Sequence, residues 1–426
     1  MGDLLVDELP DFRRRPEGAP TALAGVRVVD FSQFVAGPLA AAILADLGAD
    51  VIKIEKPGGD DMRGGAGMEP GIADGTGGGF LWANHNKRSV TIDLATDAGA
   101  RVARDLAMGA DVVIENFSAG VMQRYGLDYD SVSAGNPRSI YCSISAAGRD
   151  GSFSDRLAFD PITQAESGFV QLNTPPGAPP RSLHTPIADM TTGMSASTAI
   201  LAALYARERL GRGQRIELAM FDQGVNLLAY HAGHLAFSGE HSPAPQGPVA
   251  APAGLFATVD GSIYVSCAND RTFQRFMQAL GLTREAEDPR FRDMASRYAN
   301  ADVFIPLLAD ALSTQTTDHW LRLLREHRVP VGPVRTVREA IASPEVRERG
   351  LVTRLRHTSG AFVPHIASPL RLDHTPTCDP VAAPELGAHT REVVTEMLDL
   401  GADEFAALAD AGAFGPAHAS AAAARR

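Results

Sequence analysis

The sequence predicts an α/β protein: an open, doubly wound parallel sheet in a larger domain, with a second, smaller domain. Three observations carry this expectation. Short β-branched runs alternate with helix-like segments from residue 26 onward, the pattern of successive βαβ units. The composition then breaks near residues 241–255 at HSPAPQGPVAAPAG, which no regular element accommodates. Finally, 426 residues with 45% hydrophobic and 21% charged side chains suffice for two or three globular domains and exclude wholesale disorder.

The first strand is predicted at Val26–Phe31 (VRVVDF), a continuous apolar run of the kind buried in parallel sheets. The turn SQFVAGP leads into LAAAILADLG, a helix stopped by Gly48, and VIKIE at Val51–Glu55 supplies the second strand. Further strands are predicted at Ser89–Leu94, at Asp111–Phe117 and in RSIYCSISA after Pro137, with a helix in ATDAGARVARDLAMGA between the first two. A helix of small and apolar residues is expected from Met190 to Arg207, then a turn and strand in GRGQRIELAM, then a long helix from Phe221. Beyond the proline-rich break, FATVDGSIYVSC reads as a hairpin turning at Asp260-Gly261, followed by amphipathic helices. Another strand-rich stretch and a helical region from Thr390 complete the chain.

Charge and motifs narrow the function. With 39 Lys and Arg against 51 Asp and Glu, the net charge of −12 argues against a nucleic-acid or anionic-membrane surface, so an anionic ligand needs a local cationic patch. Cys142, Cys267 and Cys378 are too far apart for a disulfide framework or a CxxC metal site, and read as reduced thiols of a cytoplasmic protein. No signal-like segment and no run of about 18 apolar residues is found, so neither secretion nor a membrane span is expected. The turn SQFVAGP holds one glycine where a dinucleotide fingerprint needs three, which disfavours NAD or FAD, and Glu55 at the next strand's end reads as solvated. HExxH and GxSxG are absent, and RGGAGMEPGIADGTGGG lacks the GK[ST] ending of a phosphate loop and reads as a mobile loop. One acid stands apart. Asp189 stands at the start of a long apolar helix, with Gly193 four residues later, and it reads as an N-cap or as a nucleophilic carboxylate, two compatible readings because a helix N-terminus that holds it ionised also presents it at the sheet's carboxyl edge.

Taken together, the blocks LAGVRVVDFSQFVAGPLAAAILADLGADVIKIEKPGGDDMR, NHNKRSVTIDL, ADVVIENFSAGVMQRYGLDYDSV, FDPITQAESG, PIADMTTGMSASTAILAALYARERLGRGQRIELAMFDQGVNLL and VPVGPVRTVREAIASPEVRERGLV resemble the class III CoA-transferases, a family that includes formyl-CoA and carnitine CoA-transferases and related 2-methylacyl-CoA racemases. The resemblance implies a Rossmann-like large domain formed by both chain ends (residues 1–225 and 345–426), a small α+β domain inserted at 226–344, and an interlaced homodimer. It implies that Asp189 is the catalytic nucleophile. It also implies CoA contacts at Gln33, Phe34, Val35 and Ala36 in the first turn, at Lys56 and Ile92, and at Asn116, Phe117, Arg124 and Tyr125. Phe34, Ile92 and Phe117 also read as core, and Lys56 or Arg124 as solvated charges. CoA would be a substrate, with a small carboxylic acid as its acceptor, and no metal or tightly bound cofactor is implied. Family racemases carry a His-Asp pair where this chain has Phe159-Asp160, and phenylalanine cannot exchange a proton.

Overall fold

A computed structural model describes residues 5–67, 76–175, 177–239, 249 and 252–415. Contacts divide the chain into two units: Met1–Gln171, Arg181–Gly239 and Pro344–Arg426 form the larger, and Leu172–Pro180 with Glu240–Ser343 the smaller. Most of the proline-rich break and residues 68–75 of the glycine-rich stretch lie outside the described residues, as does the tail from residue 416.

The larger unit is organised around six parallel strands: β1 (Arg27–Asp30), β2 (Asp50–Glu55), β3 (Lys87–Thr91), β4 (Val112–Glu115), β5 (Ile140–Ser145) and β6 (Arg215–Ala219). Their spatial order is β3-β2-β1-β4-β5-β6, the doubly wound arrangement whose direction reverses between β1 and β4. Both faces are apolar because alternate residues point opposite ways. Val28, Val112 and Ile114 pack with the helices Ala36–Asp46 and Ile187–Leu210. Val29 and Val113 face Val102 and Leu106 of the helix Asp97–Met108, with Val393, Val394 and Phe405 from the last two helices. Residues from both ends of the chain therefore build one core.

Gly48 adopts a φ of +97° one residue beyond the C-cap of its helix, the conformation that makes glycine the usual stop there. Two expectations are corrected. The helix expected from Phe221 is two, Met220–Asn226 and Ala229–Ser238, because the chain bends at Leu227–Leu228. The helix expected from Met190 starts at Ile187 with Pro186 as its N-cap, so Asp189 is an interior residue of the first turn. By length and composition Ile187–Leu210 is apolar enough to span a bilayer, which the sequence reading did not anticipate. Its burial of Gly193, Ala196, Ile200 and Ala203 against the sheet's helical layer is that of a core helix.

The smaller unit contains an antiparallel sheet, β7 (Ala253–Ala257), β8 (Ser262–Ser266) and β9 (Val331–Pro333). Asp260-Gly261 lies in the β7–β8 turn, closed by the Thr258 N–H donating to the Gly261 carbonyl at 3.0 Å. Phe273, Phe276, Phe304, Trp320 and Leu324 from its helices fill the core beneath that sheet. In the larger unit a further hairpin, β10 (Val352–Arg356) and β11 (Phe362–Ile366), follows the smaller unit in sequence.

Candidate active site

Open parallel sheets bind ligands beyond the carboxyl ends of their strands where the strand order reverses. Here that place is the turn after β1 and the turn after β4, and they are clamped together. The Gln33 N–H donates to Asn116 Oδ1 at 2.8 Å, and Asn116 Nδ2 donates to the Gln33 carbonyl at 2.8 Å. Next in the turn, Phe34 holds a left-handed φ of +64°, a strained conformation for an aromatic residue of the kind concentrated at functional sites. Val35 is the N-cap of the helix Ala36–Asp46, and no side chain caps that end, so its first N–H groups remain open to a ligand.

A groove runs along these strand ends, lined by Gln33, Lys56, Ile92, Phe117 and Tyr125 among others. Five of the ten expected CoA contacts thus share one surface. Ile92 and Phe117 serve it while also packing in or against the core. Lys56, about half exposed, pairs through Nζ with the equally exposed Asp61 Oδ1 at 2.6 Å. Arg124 ends the short helix Val121–Arg124, exposed beside Tyr125. Beneath the groove lies a charged web that sequence reasoning missed. Lys53, fully buried, donates to the Ser32 carbonyl and pairs with Asp60 Oδ2, each at 2.9 Å. Lys87, equally buried, reaches Asp30 Oδ2 at 2.9 Å, the Pro38 carbonyl at 2.8 Å and Asn84 Oδ1 at 2.9 Å. Burial opposes the Asp30 charge, but Lys87 and Lys53 outweigh it and hold its carboxyl below the usual range. Burial pushes the Lys87 ammonium down to about 8. Glu55 is not a solvated strand end: it is buried and takes both Nε and Nη2 of Arg63 at 2.7 Å.

Asp189 is tied to this turn by two contacts. The Phe34 ring meets the edge of Phe159 with centroids 5.3 Å apart, and the adjacent Asp160 accepts the Asp189 backbone N–H at 2.9 Å through Oδ2. Asp160, buried, is itself fixed by Gln164 Nε2, whose amide oxygen takes the Leu183 N–H at 2.9 Å. One turn below Asp189, a Cβ on Gly193 would stand 2.6 Å from the Ala36 carbonyl oxygen, so only glycine lets the two helices approach this closely. The N-cap reading of Asp189 fails on these grounds. Asp160 supplies the capping carboxylate, and no hydrogen bond reaches the Asp189 carboxylate among the described residues. Burial, helped by the charge of Asp160, pushes its carboxyl up to about 7. The result is a half-buried carboxylate without a hydrogen-bond partner among the described residues, in the first turn of the helix Ile187–Leu210.

These features make the topological switch point of this α/β protein the candidate site. The chain belongs to CoA-transferase family III, whose model matches residues 23–390, and it is a CoA-transferase of class III. A succinate–glutarate CoA-transferase of Agrobacterium fabrum is 34% identical over 88% of this chain and 95% of that enzyme. An acetyl-CoA:oxalate CoA-transferase of Acetobacter aceti is 35% identical over 80% of this chain and 87% of that enzyme. The crystal structure of a CaiB/BaiF family protein from Brucella suis superposes with a TM-score of 0.80 at 34% identity, covering 89% of this chain and all of that one.

Proposed function

We propose that Asp189 is the nucleophile that moves CoA from a dicarboxylic acyl-CoA to a second small carboxylic acid. The observation that carries this reading is its unpartnered carboxylate, held beside the turn of Phe34 and raised to about 7. A carboxylate oxygen of Asp189 attacks the donor's thioester carbon. The C–S bond breaks, leaving a mixed anhydride and CoA thiolate, a good leaving group because its thiol pKa is about 8.5. The thiolate then attacks the Asp189 carbonyl, releases the first acid and leaves an aspartyl-CoA thioester. The acceptor carboxylate attacks that thioester, expelling thiolate and forming a second anhydride. Thiolate attack on the acceptor's carbonyl releases the new acyl-CoA and restores Asp189. In this reading the uncapped N–H groups at the start of the helix Ala36–Asp46 stabilise the developing oxyanions.

In this reading Gln33, Phe34, Val35, Ala36, Lys56, Ile92, Asn116, Phe117, Arg124 and Tyr125 contact CoA, with the groove taking its apolar and phosphate portions. The dicarboxylic donor rests on the name of the Agrobacterium enzyme, whose two acids are both dicarboxylic, while the Acetobacter name pairs acetyl-CoA with a dicarboxylate, oxalate. Two interlaced chains form the active dimer, an arrangement supported by the helix Ala229–Ser238, which buries no residue and leaves Tyr230 and Phe237 85% and 97% exposed. Racemisation is disfavoured because Phe159 offers no proton acceptor at the site.

The test is a matrix of succinyl-, glutaryl- and acetyl-CoA against mono- and dicarboxylic acids, read by mass spectrometry of the CoA products. Transfer among dicarboxylates is expected. Absence of any transfer, with deuterium entering 2-methylacyl-CoA from heavy water instead, refutes the proposal.

A further inference from the structure

We infer a second anion site in the larger unit, where Arg13, Arg15, Arg349 and Arg371 line one pocket suited to a phosphoryl anion of at least two negative charges. It shares no lining residue with the strand-end groove. The pocket forms because the N-terminal segment docks on the hairpin that follows the smaller unit in sequence. The Arg354 N–H of β10 donates to the Pro10 carbonyl at 3.0 Å, and its Nε reaches Asp11 Oδ1 at 2.9 Å. A few residues on, the Arg15 N–H donates to Asp379 Oδ1 at 2.8 Å. Arg13 and Arg15 lie ahead of the family match, which begins at residue 23.

Four arginines and two carboxylates line the pocket, an excess of two positive charges, and the carboxylates are hydrogen-bonded by other groups. Asp46 Oδ1 accepts from His85 Nε2 at 2.8 Å and from Asn86 Nδ2 at 2.9 Å, and Asp379 accepts the Arg15 backbone. His365, also in the lining, adds no charge near neutrality, because burial and the neighbouring His85 push its imidazole down to about 4. Arg371 is oriented without being neutralised: its Nη1 donates to the Ser368 and Leu370 carbonyls and its Nη2 to the Arg349 carbonyl. No guanidinium of the four is in an ion pair among the described residues, in a chain whose net charge is −12. Such a concentration of planar donor forks matches the several terminal oxygens of phosphoryl groups, as a free polyphosphate or on a nucleotide. By binding the folded chain alone, the anion would fasten the N-terminal segment to the end of the larger unit.

The experiment is calorimetric titration of the full chain with pyrophosphate, AMP and succinate, for wild type, Arg13→Ala/Arg349→Ala and Lys56→Ala. Both arginines of the double variant are exposed and their guanidiniums make no described hydrogen bond, so its circular dichroism should match wild type. Saturable binding of pyrophosphate or AMP is expected, weakened at least about tenfold in the double variant and retained in Lys56→Ala. The tighter of the two identifies the source as polyphosphate or nucleotide. Absence of saturable binding, loss in Lys56→Ala but not in the double variant, or succinate binding as tightly as pyrophosphate, overturns the inference.

Discussion

At the scale of the residue, Asp189 carries opposed demands of stability and reactivity. Its folded pKa of about 7 lies above the ordinary 3.8, so the folded chain holds the proton between those values and the unfolded chain does not. Stability attributable to this group therefore falls as pH rises from about 4 to 7, while the nucleophilic anion accumulates over the upper part of the same range. Transfer at subsaturating substrate should rise with pH through a midpoint near 7, measurable as kcat/KM from pH 5.5 to 8.5. Asp189→Asn keeps the shape but removes the half-buried charge. Its melting temperature should exceed that of wild type by several degrees at pH 8, with the gap shrinking at pH 5, while turnover drops at least about a thousandfold. A variant less stable than wild type at pH 8 would mean that the carboxylate has a stabilising partner.

At the scale of the element, two close approaches set the geometry. Gly193→Ala puts a Cβ 2.6 Å from the Ala36 carbonyl oxygen and must push the helices Ile187–Leu210 and Ala36–Asp46 apart. A cost of about 1–3 kcal/mol in stability is expected, with kcat reduced about 10- to 100-fold because Asp189 rides on the displaced helix. Denaturant melts and steady-state kinetics check both. Strands β1, β2, β4 and β5 were legible because each carries a β-branched, mostly apolar run bounded by turns, whereas β3 (KRSVT) and β6 (RIELA) mix charged residues into theirs. Helix starts were less so: Pro186 was not read as an N-cap, since the group that satisfies the Asp189 N–H, Asp160, comes from a segment 29 residues earlier. The buried web was visible in outline as charges inside strand runs, Asp30 in VRVVDF and Lys53 in VIKIE. Only tertiary proximity reveals that Asp30 and Lys87 pair across the sheet.

At the scale of the whole molecule, the strand order places the β1 and β4 turns side by side, and the Gln33–Asn116 exchange of hydrogen bonds spans 83 residues of chain. No local pattern carries such a contact, which is why the site residues came from resemblance rather than from spacing. The proposed interlaced dimer has a thermodynamic consequence, since linked chains must unthread to separate and dissociation is coupled to unfolding. Sedimentation velocity across a wide dilution should give a single dimeric species. A folded monomer in equilibrium with dimer would exclude interlacing.

The assignment of the nucleophile is tested most directly by trapping the acylated enzyme. Wild type is incubated with an acyl-CoA in the absence of acceptor, quenched with hydroxylamine and mapped by peptide mass spectrometry. The anhydride and the aspartyl-CoA thioester are activated acyl groups, so Asp189 should be recovered as its hydroxamate, and the Asp189→Asn protein should yield none. A hydroxamate on any other carboxylate, or turnover surviving in Asp189→Asn, would contradict the account.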